Sequence, residues 1–216
     1  MKKGFNYERG VWKVLGRVGD LFILNVVFLI CCIPIFTIGA SKTALYAVTK
    51  KMAKNEEGYI IKEFFEQFRE NFKKSTVMWL LYLGVSALAV LDLIICNMMS
   101  GGFVVAFFKS IMLFTLIILD IVLLYALALQ STFENTIKNT IKNALIMSIG
   151  YFPNSVVILA VNLSPFIAVI FFTQYISIEA PLLMFLWFAT AAYINSFIFN
   201  KIFNRYIEAA PEKVSE

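Results

Sequence analysis

Histidine is absent from all 216 residues. Its absence removes Ser-His-Asp and Cys-His nucleophile pairs, His-ligated zinc and haem carried on a histidine. Cysteine is scarce too, and Cys31, Cys32 and Cys96 all lie inside apolar runs. On a helix the adjacent Cys31 and Cys32 point about 100° apart, so neither a disulfide nor a metal pair is expected, and small polarizable packing residues are. Charge is also thin, 15% of residues against about a quarter in an ordinary soluble domain.

Apolar residues take up the difference. They make up 60% of the chain, with 22 Phe. Such a composition predicts lipid as the solvent, and one helical bundle accounts for the length without a second domain. The formal charge of +5 is clustered between apolar segments. That pattern suits the orientation of a membrane protein and anionic headgroups, and it does not point to nucleic acid. The basic N-terminus and the apolar run after it imitate a signal peptide. Glu8, Asp20 and the spans that follow favour a retained segment.

Hydropathy patterning predicts an all-α, polytopic transmembrane bundle filling residues 1–216. Residues 1–18 read as an interfacial N-terminus, 55–75 as a cytoplasmic amphipathic helix and 202–216 as a cytoplasmic tail. Spans are expected at Gly19–Pro34, Thr76–Met99, Ala106–Gln130, Ala144–Phe172 and Ile178–Lys201. Pro153 and Pro165 should kink or split the fourth of these. Counting Lys and Arg puts residues 42–74, the connection after Gln130 and the C-terminal tail in the cytoplasm. Five simple spans would then strand Lys2, Lys3, Arg9, Lys13 and Arg17 outside. A hairpin of Gly19–Pro34 and Phe36–Lys50, hinged at Pro34, followed by four spans, removes that conflict and is preferred. It places both termini in the cytoplasm.

Three sets of residues stand out as candidates for function. On residues 59–74, Ile61, Phe64, Phe65, Phe68 and Phe72 recur at helical spacing beside Arg69. Such a face suits either the inner leaflet or a docked partner. Asp92 and Asp120 are intramembrane carboxylates, each costing about 2.5–3.5 kcal/mol to insert. An Asp92–Lys109 ion pair and an interhelical hydrogen bond from Asp120 compete there with a proton or solute path. At Asn162-Leu-Ser-Pro165 a structural proline kink filled by Ser and Asn is preferred over carbonyls opened in mid-membrane as in transporter sites. Gly39-Ala-Ser41-Lys42 lacks the spacing of a phosphate loop, and Ser41 and Lys42 point apart, which disfavours a Ser-Lys dyad.

The run Gly19-Asp20-Leu, Leu24-Asn25, Cys32-Ile-Pro34, Thr37-Ile-Gly39 and Thr43-Ala-Leu-Tyr46 resembles the YesL-like family of bacterial membrane proteins, a domain of unknown function. Glu57-Gly58-Tyr59, Phe64-Phe65, Phe68-Arg69 and Asn71-Phe72 resemble its second block, and Tyr193-Ile-Asn195 with Phe203 and Tyr206 a third. The resemblance implies a multi-span protein of the bacterial cytoplasmic membrane, of a family often encoded beside sugar-uptake transporters and polysaccharide-degrading enzymes. It implies no catalytic residues and no cofactor. Asp20, Asn25, Pro34, Gly39 and Tyr46 are expected to shape the fold. The favoured expectation is a non-enzymatic accessory or regulator of carbohydrate uptake, docked on a sugar ABC-type transporter. The alternative is a small transporter or channel using Asp92, Asp120 and the Asn162–Pro165 break.

Overall fold

Proline has no backbone N–H and disfavours helix in the residue before it, so the first apolar run cannot continue through Pro34. In the computed structural model, which describes residues 7–99, 101–171 and 176–209, α1 (Tyr7–Cys31) stops just short of it. A 3₁₀ turn, Ile35–Thr37, leads into α2 (Ile38–Lys54). The carbonyls left open at the turn are taken up locally. Thr37 Oγ1 donates to the carbonyls of Cys31 and Pro34, each at 2.6 Å, and Ser41 Oγ to Cys31 at 3.1 Å. At the far end Arg17 pairs with Glu57 at 2.6 Å and donates to Asn55 at 3.0 Å. Asn55 ends α2 in the left-handed region, φ 56°, which Asn tolerates better than most residues. The two helices are therefore a hairpin, hinged at one end and clasped by charge at the other. Lys2, Lys3 and Lys213 lie outside the described residues.

Helix α2 is covered on nearly every side. From Thr43 to Lys50 each residue is buried, including Thr43, Thr49 and Lys50. Its neighbours are α1, α3, α4 and α7. Gly39 fixes the nearest approach, because a Cβ added there would lie 2.5 Å from both the Ser75 carbonyl oxygen and Trp79 Cβ.

Residues 55–75 do not form a separate amphipathic helix. From Ile60 they are the start of α3 (Ile60–Met98), a single rod of 39 residues, about 58 Å long. No Gly or Pro interrupts Lys73-Lys74-Ser75-Thr76, so nothing divides the charged turns from the apolar ones. Trp79 Nε1 donates to the Ile35 carbonyl at 2.8 Å, which sets the hinge at the level of Trp79. Beyond that level α3 continues with α4 (Phe103–Gln130) beside it.

The run predicted as one span at Ala144–Phe172 is two helices, α5 (Ile137–Gly150) and α6 (Phe152–Phe171), bent by 102°. Pro153 explains the break: it sits in the first turn of α6, where a missing N–H costs nothing. Pro165 lies inside α6 without ending it. Helix α7 (Ile176–Ala209) closes the bundle. Among the described residues three helical segments, Trp12–Cys31, Ile60–Met98 and Phe103–Gln130, are long and apolar enough to cross a membrane, or four if the α5–α6 pair is one broken span. The protein is thus an all-α polytopic bundle, with three or four candidate spans among the described residues. The short α2 is not among them.

Replacing Gly39 by Ala should destabilise the bundle by about 1–3 kcal/mol, since the backbone of α3 must give way. Gly16→Ala, with nothing within 4 Å of the added carbon, should be neutral or slightly stabilising. Thermal unfolding of both variants in detergent measures the contrast.

Candidate functional site

The intramembrane polar residues do not act as one group. Asp92 is exposed on the outer half of α3, and no ion pair among the described residues joins it to Lys109. The expected Asp92–Lys109 pair therefore does not form. Asp120 is half-buried on α4 and accepts a short hydrogen bond from the Tyr82 hydroxyl of α3, which is the interhelical bond expected of it.

The carbonyls around Asn162–Pro165 are taken up by side chains, the preferred of the two readings. Proline 165 cannot donate to the carbonyl of Val161, and Ser164 Oγ does so instead at 2.8 Å. Asn162 Nδ2 likewise donates to Ile158 O at 2.7 Å. With these side chains filling the ladder, α6 stays continuous.

Asp120 and Asn162 nevertheless meet. They line a cavity of about 450 Å³ with Lys42, Tyr82, Trp79 and Trp187, drawn from α2, α3, α4, α6 and α7. Apolar walls come from Phe188 and leucines of α4 and α6. Lys42 and Asp120 attract one another across it without closing an ion pair. Behind the cavity, buried Tyr46 packs edge-on against Phe199, with centroids 5.4 Å apart. Its hydroxyl faces the amides of Asn195 and Asn162. Trp187 Nε1 is buried and has no hydrogen-bond partner among the described residues. Buried polar atoms are rarely left so. A walled space with aromatic faces, a carboxylate, an ammonium and a free indole N–H can hold a small polar molecule.

The Phe face divides. Phe64 is fully buried and stacks on Phe68, which itself packs on the core. Ile61 and Phe65 remain nearly half exposed, at 47% and 45%. Phe65, Phe68, Arg69 and Phe72 share an open groove with Glu70, Lys73 and Lys74. Helical spacing alone could not show that α3 turns Glu63, Asn71 and Ser75 inward. Asn71 accepts from Gln130 at 3.1 Å, Thr43 donates to Ser75 at 2.9 Å, and Lys51 pairs with Glu63. Lys62–Glu66 forms at 3.8 Å, whereas Glu70 accepts from Gln67 and not Lys74.

Of the residues marked by the resemblance, Asn25 is fully buried, and its Oδ1 accepts from the Ala189 N–H at 2.9 Å, tying α1 to α7. Pro34 and Gly39 make the hinge and the close approach, and Tyr46 is fully buried with its hydroxyl facing Asn162 of the cavity lining. Asp20 is half-buried on α1. Trp187 was missed as a site residue, and Lys42 was weighed only in a disfavoured phosphate loop and Ser-Lys dyad. Both sit in runs whose pattern signals only helix, and their role depends on which helices converge.

Residues 21–93 match the model of a protein family described as protein of unknown function, DUF624. The matched segment is about a third of the chain and runs from α1 through the hinge into the outer half of α3. It includes Lys42, Tyr46 and Tyr82, and it leaves Asp120, Asn162 and Trp187 outside. No curated protein and no solved structure matches the chain.

Ser164→Ala should uncover the Val161 carbonyl and cost about 1–3 kcal/mol. The double variant Ser164→Ala with Pro165→Ala, which restores a backbone N–H, should recover most of that loss in thermal unfolding.

Proposed function

We propose that the protein is a non-enzymatic component of the bacterial cytoplasmic membrane that takes a small polar solute into the bundle, as a transporter or a solute-responsive partner of one. The observation that carries this reading is the convergence of Asp120, Asn162 and Lys42 with two tryptophans on one cavity, backed by the buried Trp187 N–H, which lacks a partner among the described residues. Flat aromatic faces with dispersed hydrogen-bonding groups suit a hydroxyl-rich molecule, since rings cover C–H surfaces while Asp and Asn bond hydroxyls. The YesL-like resemblance supports the same solute class, a carbohydrate. Trp79 and Trp187 make the cavity self-reporting. Intrinsic fluorescence of the protein in lipid nanodiscs, titrated with neutral mono- and disaccharides, should respond to at least one sugar. The response should weaken at least roughly tenfold in Asp120→Asn, the loss of one hydrogen bond to a charged group. It should persist in Asp92→Asn. Silence across a broad sugar and polyol panel would sink the proposal.

A second reading has its own observation. The open groove at Phe65, Arg69 and Phe72 has the aromatic and arginine content of an interface anchor. It supports an accessory protein seated on a sugar ABC-type transporter. Phe65→Ser with Phe72→Ser should abolish co-purification of a transporter while leaving sugar-dependent fluorescence intact. Co-purification unchanged by both substitutions counts against docking at this face.

A further inference from the structure

At the opposite end of α2 lies a second polar site, distinct from the cavity and independent of the sugar reading. Lys50 is buried, 5% exposed. An ammonium has three N–H donors. Here it donates to the Ala128 carbonyl at 3.0 Å and to the Thr132 hydroxyl, and it lies 5.4 Å from the centroid of Phe203. No carboxylate among the described residues pairs with it. A buried cation normally costs several kcal/mol unless a counter-charge answers it. The C-terminal carbonyls of α4 supply part of one, about half an elementary charge.

The remainder of the site is equally basic. Lys50 opens onto a groove of about 290 Å³ between the C-terminal parts of α2, α4 and α7, shared with Lys54, Thr132, Asn200 and Asn204. Lys54 is one helical turn beyond Lys50, on the same face, and forms no ion pair among the described residues. Lys51 also lines the groove, but Glu63 neutralises it. Glu56 lines the groove and opposes any anion there. Asn200 Nδ2 holds the Lys50 carbonyl at 3.0 Å, which fixes the backbone under the ammonium. Asn204 is exposed and lines the groove.

We propose that this groove binds a phosphate-bearing anion, with Lys50 and Lys54 as the cations and Asn204 as a neutral donor. Two positive charges one turn apart, against one exposed carboxylate and beside a neutral amide donor, suit a phosphate oxyanion with several acceptor oxygens better than chloride. Helix α2 is not among the helices long and apolar enough to cross a membrane. Burial and the neighbouring Lys54 charge push the Lys50 pKa well below the usual lysine range, and a bound anion would oppose both effects. The phosphate belongs to a free ion or to a lipid headgroup, and the experiment separates these two sources.

The full chain in phosphatidylcholine nanodiscs is titrated with inorganic phosphate, with chloride at matched ionic strength as reference, and thermal unfolding is followed. The midpoint should rise with phosphate and not with chloride. Lys54→Gln and Asn204→Ala, both exposed positions that leave the fold intact, should each weaken the phosphate effect roughly tenfold, about one charge-assisted hydrogen bond. Lys50→Met should remove it while leaving sugar-dependent tryptophan fluorescence unchanged. Stabilisation by phosphatidylglycerol nanodiscs without free phosphate, lost in the same variants, assigns the phosphate to lipid. Equal stabilisation by chloride and phosphate, or a phosphate effect undiminished in Lys54→Gln with Asn204→Ala, overturns the proposal. So does the absence of any effect from either phosphate source.

Discussion

A short helix carrying buried polar groups stands where a membrane bundle would ordinarily place a fully apolar one. Helix α2 can occupy that position only because each neighbour answers one of its polar groups. Thr43 bonds Ser75 of α3, Thr49 bonds Ser196 of α7, and the Lys50 carbonyl is held by Asn200. Gly39 then lets α3 approach to backbone contact. Removing any one of these partners loses a bond between helices, while Thr43 and Thr49 keep the carbonyls of Gly39 and Leu45 within α2. The mutual order of α3, α4 and α7 is thus written in the side chains of α2.

The fold class was legible because lipid imposes helices and apolar faces that composition alone betrays. The hairpin was legible for a different reason: Arg17 and the lysines of α2 carry charges that an ordinary span would misplace, and Pro34 marks where the chain turns. What failed was local. The Phe stripe on residues 61–72 was read as one face turned to the inner leaflet or a partner, yet α3 carries a polar strip beside it, and burial followed Glu63, Asn71 and Ser75 because their partners lay on α2 and α4. At Pro165 a structural kink filled by Ser and Asn was the preferred reading, because proline removes an N–H that a neighbouring side chain can replace. Which carbonyl each side chain takes, Val161 for Ser164 and Ile158 for Asn162, depends on rotamers that the sequence does not carry. Asp120 and Asn162 were legible as candidates one by one. Their meeting was not, because it depends on Lys42 and Trp187, residues whose significance is set by convergence and not by pattern.

The cavity and the basic groove share a wall. Lys42 faces one and Lys50 the other, eight residues apart on the same helix, about 12 Å. A rigid displacement of α2 along its axis moves both ammonium groups together. The hinge at Thr37 and Ser41 and the clasp at Arg17 are what hold that axial position.

Helix α3 joins two environments with no joint between them. Its first turns pack on α2, while its last turns run beside α4 among exposed leucines and isoleucines. A rod of about 58 Å converts a tilt of about 5° into a shift of about 5 Å at its tip, close to one helical turn. Bilayer thickness is one agent that tilts spanning helices. A tilt of α3 therefore displaces its two ends in opposite directions, and Glu63 and Phe64, beside the end of α2, lie at one of them.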